Sequence, residues 1–313
     1  MTGPTAAASP ISAPDDLAAR ESLAYRVRPC GVLDVAGTDR VAFLQGQLTQ
    51  DVKGMSPGEV RPAAGLTPKG RIVFLARVLA LLDSLRLLVP FDARGGILAH
   101  LEKYVIFQKV AIADRSSELA LVGLYGPRAA GIAPPAAAIR LPREGEFSAE
   151  ILVPSEGLED FEGTLAGAGA AKVAESTAEV LRVEAGRPRF GSDVDDTHFP
   201  DEVGLDAAIS TTKGCYVGQE IVARTRTYGR VNRRLVGFRF PDGPVAAGSL
   251  LKKPDEPEPG KIEQGRVTSA VVSPVFGAIG LGYAFRDVPA GARLVSADGA
   301  PRAAIVSGLP FSL

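Results

Sequence analysis

The residues with the most to offer chemically lie between positions 211 and 234, which read TTKGCYVGQEIVARTRTYGRVNRR. Cys215 follows Gly214 at the expected start of a helix running from about Tyr216 to Arg224. The positive end of that helix and the neighbouring Lys213 would both favour the thiolate, the form that attacks disulfides and ligates metals. Gly214 and Gly218 leave room for a ligand or a backbone to approach closely. A plain alternative stands beside this redox, metal or nucleophilic role: free cysteine is among the most buried residue types and packs as a small hydrophobe. Spacing alone leaves both open. The second half carries Arg224, Arg226, Arg230, Arg233 and Arg234. Guanidinium forks pair with carboxylate or phosphate at about 1.5–3 kcal/mol per charged hydrogen bond, so the run suits an anionic ligand. A solvated surface strip is the competing reading. Tyr228 among them either stacks on a flat ring or fills an interface.

Upstream, LRVEAGRPRFGSDVDD places Glu184 near the end of a helix that Gly186 would stop. A carboxylate there can accept two parallel hydrogen bonds from an amino-substituted heterocycle. The negative end of a helix disfavours it, which hints at a use other than helix stability. Asp193, Asp195, Asp196 and His198 invite a metal, but the calcium-loop template fails. Its sixth position, which needs glycine, is His198, and its twelfth is Gly204. No metal site is expected. Cys30, before Gly31 at a strand start, reads as structural.

These groups need a scaffold, and the composition supplies one. Of 313 residues 46% are hydrophobic, which builds real cores and excludes wholesale disorder. Lys and Arg number 35 against 36 Asp and Glu, so no overall field recruits a polyanion. Two cysteines exclude a disulfide scaffold, a zinc ribbon and a self-sufficient four-thiolate cluster. The longest apolar stretch, IVFLARVLALLDSLRLLVP, is interrupted by Arg77, Asp83 and Arg86, and the opening MTGPTAAASPISAPDD lacks the regions of a signal peptide. A cytoplasmic protein is expected, and no membrane partner. Residues 1–22 read as a disordered tail and 23–115 as a first α+β domain. Residues 116–234 read as a second α+β domain, and 235–313 as an antiparallel barrel of short strands with regular turn signals.

KGCYVGQE matches, residue for residue, the K-G-C-[FY]-x-G-Q-E signature of the YgfZ-type folate-binding proteins of iron–sulfur cluster maintenance. GTDRVAFLQGQLTQDV, LTPKGR, RVEAGRPRFG and GRVTSAVVSPVFGAIGLGYA look like blocks shared with the wider glycine-cleavage T-protein (aminomethyltransferase) superfamily. The resemblance covers about residues 25–313. It implies an α+β protein built as a three-domain ring, two α+β domains and a C-terminal antiparallel β-barrel, around a channel for tetrahydrofolate or a one-carbon derivative. By the same resemblance Glu184 holds the pterin ring, and Arg224, Arg226, Tyr228, Arg230 and Arg233 lie where cations would meet the folate tail. Cys215, with Lys213 beside it, does the thiol work.

One departure bears on activity. Aminomethyltransferases carry an aspartate in a pattern like N-A-x-x-x-x-D, and here VPFDARGGILAHL puts Gly96 or Ile97 at that place, with Asp92 too early. The group that would steer proton transfer is absent. The resemblance therefore implies an accessory factor that binds folate and supports iron–sulfur clusters in client or assembly proteins. Two alternatives stand beside it. One is a folate-dependent one-carbon transferase; the other is a tRNA-binding module using the arginine strip, although nucleic acid is not the expected partner.

Overall fold

In the computed structural model, residues 13–143, 145–229, 231–254, 263–297 and 300–313 are described. Helix α1 (Ala13–Glu21) leads into β1 (Ala24–Arg28), β2 (Gly31–Ala36), α2 (Arg40–Gln47), β3 (Val60–Leu66), β4 (Ile72–Ala80), β5 (Ser84–Val89), α3 (Arg94–Glu102) and β6 (Ala111–Asp114). There follow β7 (Leu119–Tyr125), β8 (Ile139–Leu141), β9 (Ala149–Pro154), α4 (Leu158–Gly167), β10 (Ala171–Lys172) and α5 (Glu175–Glu184). A long connection holding the single turn α6 (Pro200–Val203) reaches α7 (Gln219–Tyr228). The chain ends in β11 (Arg233–Arg239), β12 (Leu250–Lys252), β13 (Gly265–Ser273), β14 (Gly277–Phe285), β15 (Arg293–Ser296) and β16 (Ala303–Ser307). The strands form two five-stranded sheets, ordered β3-β4-β5-β2-β6 and β10-β1-β7-β9-β8, and a closed six-stranded barrel ordered β11-β14-β13-β12-β15-β16.

Period-two alternation explains how the first two units join. In β4 the residues Phe74, Ala76 and Val78 pack under Phe43, Leu44, Ile97 and Leu101 of α2 and α3. The residues between them face the other way, and Leu79 meets Leu121, Leu141 and Leu152 of the second sheet, with Cys30, Val32 and Leu88 alongside. The second sheet turns its opposite face to Phe161 and Leu165 of α4. Val180 and Val183 of α5 then pack on Val271, Ile279 and Leu281 of the barrel, whose own core holds Phe238, Phe240 and Leu294. Among the described residues no helix is long and apolar enough to cross a membrane.

The chain crosses the boundaries drawn from composition in three places. Residues 13–21, assigned to the tail, form α1. Asp15 and Asp16 sit at its positive end and Arg20 at its negative end, and Ala18 and Ala19 pack on Tyr125, Phe147 and Leu181. Residues 1–12 of that tail lie outside the described residues. Strand β1, assigned to the first domain, pairs antiparallel with β7, from Ala24↔Tyr125 to Arg28↔Leu121, and so belongs to the second sheet. The KGCYVGQE segment, assigned to the second domain, packs on the first sheet, where Tyr216 and Val222 meet Ala64, Leu66 and Ile72.

Candidate functional site

The signature segment is a strap fixed at both ends. Ser210 N–H donates to Thr49 O at 3.0 Å, Thr49 Oγ1 donates to Ala208 O at 2.6 Å, and Val217 N–H donates to Gly46 O at 3.0 Å. Between these anchors Lys213 is buried. Its ammonium donates to the carbonyls of Gln45 (2.8 Å), Leu48 (2.6 Å) and Gln50 (2.8 Å), the end of α2 where carbonyls lack helical partners. Burial pushes Lys213 down to about 8, with Asp51 opposing that shift and Lys53 adding to it. All three of its protons are committed, so Lys213 is a clamp and not the expected counter-ion for Cys215. Tyr216, after the cysteine, is buried too.

Cys215 itself is exposed. The plain alternative, a small buried hydrophobe, is therefore wrong for this position, and it describes the buried Cys30 instead. The helix expected from about Tyr216 begins only at Gln219, after Gly218 at φ 84°. A Cβ at Gly218 would lie 2.6 Å from Thr67 O, so the tight fit of strap on the β3–β4 turn delays the helix. Cys215 stands outside that helix, and the helix-end argument for its reactivity falls. Its openness stands: nothing lies within 4 Å of a Cβ placed on Gly214.

Four of the five arginines of the strip are already engaged. Arg224 binds Glu220 at 2.9 Å; Arg226 binds Asp201 at 3.0 Å and Asp206 at 2.6 Å; Arg233 binds Glu202 at 3.1 Å. Arg234 donates to the carbonyls of Arg286 and Val288 at 2.9 and 2.7 Å. Arg230 and the side chain of Tyr228 lie outside the described residues. What looked like a cationic surface for an anion joins the loop around α6, helix α7 and the start of the barrel.

Glu184 is buried at the end of α5, and its carboxylate is filled. Arg20 of α1 grips it through two parallel bonds of 2.9 Å, and Ser273 Oγ donates to Oε1 at 2.6 Å. Burial works against the charge of Arg20, but Asp16 and Glu184 outweigh it and hold the proton more firmly than usual. With α1 docked, both oxygens are taken, and Glu184 does not fit an acceptor for the paired N–H groups of a pterin. The neighbouring Arg182 donates to Asp193 at 2.8 Å and to Ser269 Oγ at 2.8 Å, tying α5 to the barrel.

Sequence reasoning missed two further groupings. On the inner face of β1, Arg28 pairs with the fully buried Glu150 of β9, which also receives Arg77 of β4 at 2.6 Å. The available signal was Arg26 and Arg28 alternating with Ala24 along one face of a buried strand. The second is a cavity of about 520 Å³ between the loop after α5 and the barrel, lined by Asp195, His198, Arg233, Arg266 and Tyr283. There His198 Nδ1 lies 2.7 Å from Asp195, and the imidazole packs on the Tyr283 ring at 4.4 Å. Among the described residues no cluster of His, Cys, Asp and Glu is arranged to hold a metal ion.

No family model matches the sequence. The tRNA-modifying protein YgfZ of Hamiltonella defensa is 30% identical over 223 residues, 65% of this chain and 66% of that one. The iron-sulfur cluster assembly factor IBA57 homolog, mitochondrial, of Mycosarcoma maydis is 31% identical over 233 residues, 67% of this chain and 55% of the relative. The chain thus spans about two thirds or less of these two proteins. Glycine cleavage system aminomethyltransferase T from Bartonella henselae has a similar fold, with a TM-score of 0.84 at 20% identity over 96% of this chain and 89% of that one.

Proposed function

The chain belongs to the YgfZ-type branch of the glycine-cleavage T-protein superfamily, and from that membership we propose a folate-binding accessory factor of the cytoplasm. It supports assembly or repair of iron–sulfur clusters in client enzymes, with Cys215 as the working thiol. The observation that carries this reading is the strap: an exposed cysteine between two buried neighbours, Lys213 and Tyr216, each held by the first unit. A merely structural cysteine would be inside, and an incidental surface cysteine would not need an anchored loop. One thiolate cannot hold a cluster alone, so a client, a second copy or an exogenous thiol supplies the remaining ligands to the passing cluster. Folate enters as the cofactor of the family; the thiol role stands without any contact from Glu184.

Two other readings are weaker. A one-carbon transferase needs a carboxylate near the start of α3, where Gly96 has no side chain, Ile97 is buried in the first core and Asp92 is exposed. A tRNA contact through the arginine strip matches the name of the Hamiltonella relative, but Arg224, Arg226 and Arg233 already face carboxylates. The test is complementation in cells lacking their own family member. The wild-type chain is expected to restore the activity of a cluster-dependent enzyme, and Cys215→Ser at equal abundance is expected not to. Full restoration by the serine variant would end the thiol role.

A further inference from the structure

The inner face of the second sheet carries hydrogen-bond donors with nothing to receive them. Tyr125 Oη and Arg28 Nε are both buried, and neither has a hydrogen-bond partner among the described residues. Tyr125 is 1% exposed, and its phenol lies within the electrostatic reach of the Arg26 and Arg28 guanidiniums and of the Glu146 and Glu150 carboxylates. Leaving such groups unpaired costs about 1–3 kcal/mol each in a protein interior, so they mark a place where an acceptor belongs.

The register shows how these atoms meet. Ala24 faces Tyr125 across the β1–β7 ladder, Arg26 faces Gly123 and Arg28 faces Leu121, which puts both arginines and Tyr125 on one side of the sheet. Gly123 has no side chain, and the Phe147 ring fills the space above it, 2.3 Å from where a Cβ would stand. The Arg28 guanidinium carbon lies 4.3 Å from the centroid of that ring. Its Nη2 is spent on Glu150, which leaves Nε. Arg26 pairs with Glu175, whose side chain is 64% exposed, and feels the Glu179 carboxylate more weakly.

We propose that Tyr125 Oη, Arg28 Nε and the Arg26 guanidinium form a subsite for an oxyanion, a carboxylate or a phosphate group. Every atom in the set is a donor, and two of the three groups are cations, which is the chemistry that selects an oxyanion over a neutral polar group. Burial lowers the proton affinity of Arg26, and Arg28 and Arg189 add like-charge repulsion that a bound anion would relieve. Burial also pushes the Tyr125 phenol up, so it keeps its proton and donates. The ligand is either the carboxylate end of a folate or a free anion, and the subsite stands whichever it is.

The test is calorimetric titration of the full chain with inorganic phosphate and with glutarate. Saturable binding of at least one is expected, weakened about tenfold or more, roughly 1.4 kcal/mol, in Tyr125→Phe and in Arg28→Met. Tyr125→Phe removes only an oxygen that has no hydrogen-bond partner among the described residues, so its thermal midpoint is expected to equal or exceed that of the wild type, which separates lost binding from lost fold. No saturable binding of either anion, or undiminished binding in both variants, overturns the proposal. Tetrahydrofolate distinguishes the sources: competition with the anion assigns the subsite to its carboxylates, and additive binding assigns it to a free anion.

Discussion

Lys213 shows how far a side chain's role depends on what it reaches. Next to a cysteine it reads as an activating cation, yet its three protons go to carbonyls 163–168 residues earlier in the chain. Lys213→Met keeps the volume and removes the donors, so three buried or half-buried carbonyls at the end of α2 lose their partner. A loss of about 2–4 kcal/mol is expected, read as a lowered midpoint in denaturant unfolding. The pH dependence has a definite sign. Lys213 titrates at about 8 in the fold, against about 10.4 in an unfolded chain. Between those values the unfolded state binds more protons, so wild-type stability rises relative to Lys213→Met as pH climbs from 8 towards 10. That increment is lost as pH falls through 8. A constant difference between the two proteins across this range would show that burial of the ammonium is not felt.

At the scale of elements, helix α1 decides what Glu184 can do. The helix is nine residues long, too short to persist alone, and is held by small-residue packing and by the Arg20 fork. Arg20→Ala is expected to cost about 1–3 kcal/mol, because among the described residues Glu184 then keeps only the Ser273 hydroxyl on its carboxylate. The same substitution opens the carboxylate. If Glu184 is the pterin acceptor that the family resemblance implies, tetrahydrofolate binds Arg20→Ala more tightly than wild type, and adding Glu184→Ala abolishes the gain. Equal affinity for wild type and Arg20→Ala in fluorescence titration would remove Glu184 from the cofactor site. The legibility of the sequence divides along the same line. Strands β4 and β5 are legible in IVFLARVLAL and LRLLVP, strand-like apolar runs on either side of an Asp83–Ser84 turn, because run and turn are both local signals. So is the end of α5 at Gly186, whose φ is 69°. Partners were not readable: Arg20 meets Glu184 across 164 residues and Arg28 meets Glu150 across 122, separations that no local pattern encodes. The arginine strip failed for the same reason, since Asp201, Glu202 and Asp206, its neutralising carboxylates, fold back from the far side of the α6 loop.

Across the whole molecule, the question is what makes three units move as one. The sheets share an apolar seam, but α5 and the barrel are joined by a polar bolt as well as by Val180, Val183 and Ile279. Asp193, fully buried, accepts from Arg182, from Ser269 Oγ at 2.7 Å and from Arg189 N–H at 2.9 Å, while Tyr283 Oη donates to its backbone carbonyl at 3.0 Å. Four segments, α5, the loop behind it, β13 and β14, thus converge on one residue. The strap follows from this joint: Tyr283 also packs with Tyr216 and Val222, so a shift of the barrel is felt next to Cys215. Asp193→Ala leaves Arg182 buried with, among the described residues, only Glu179 as a counter-ion, at an expected cost of about 3–5 kcal/mol. Because the bolt lies at a junction and not inside a unit's own core, the loss is expected to appear in calorimetry as a separate, earlier transition of the barrel. Asp193→Asn keeps the acceptor oxygen for Ser269 and is expected to lose less. A single transition lowered equally in both variants would mean that the barrel and the sheets are coupled by their apolar contacts alone.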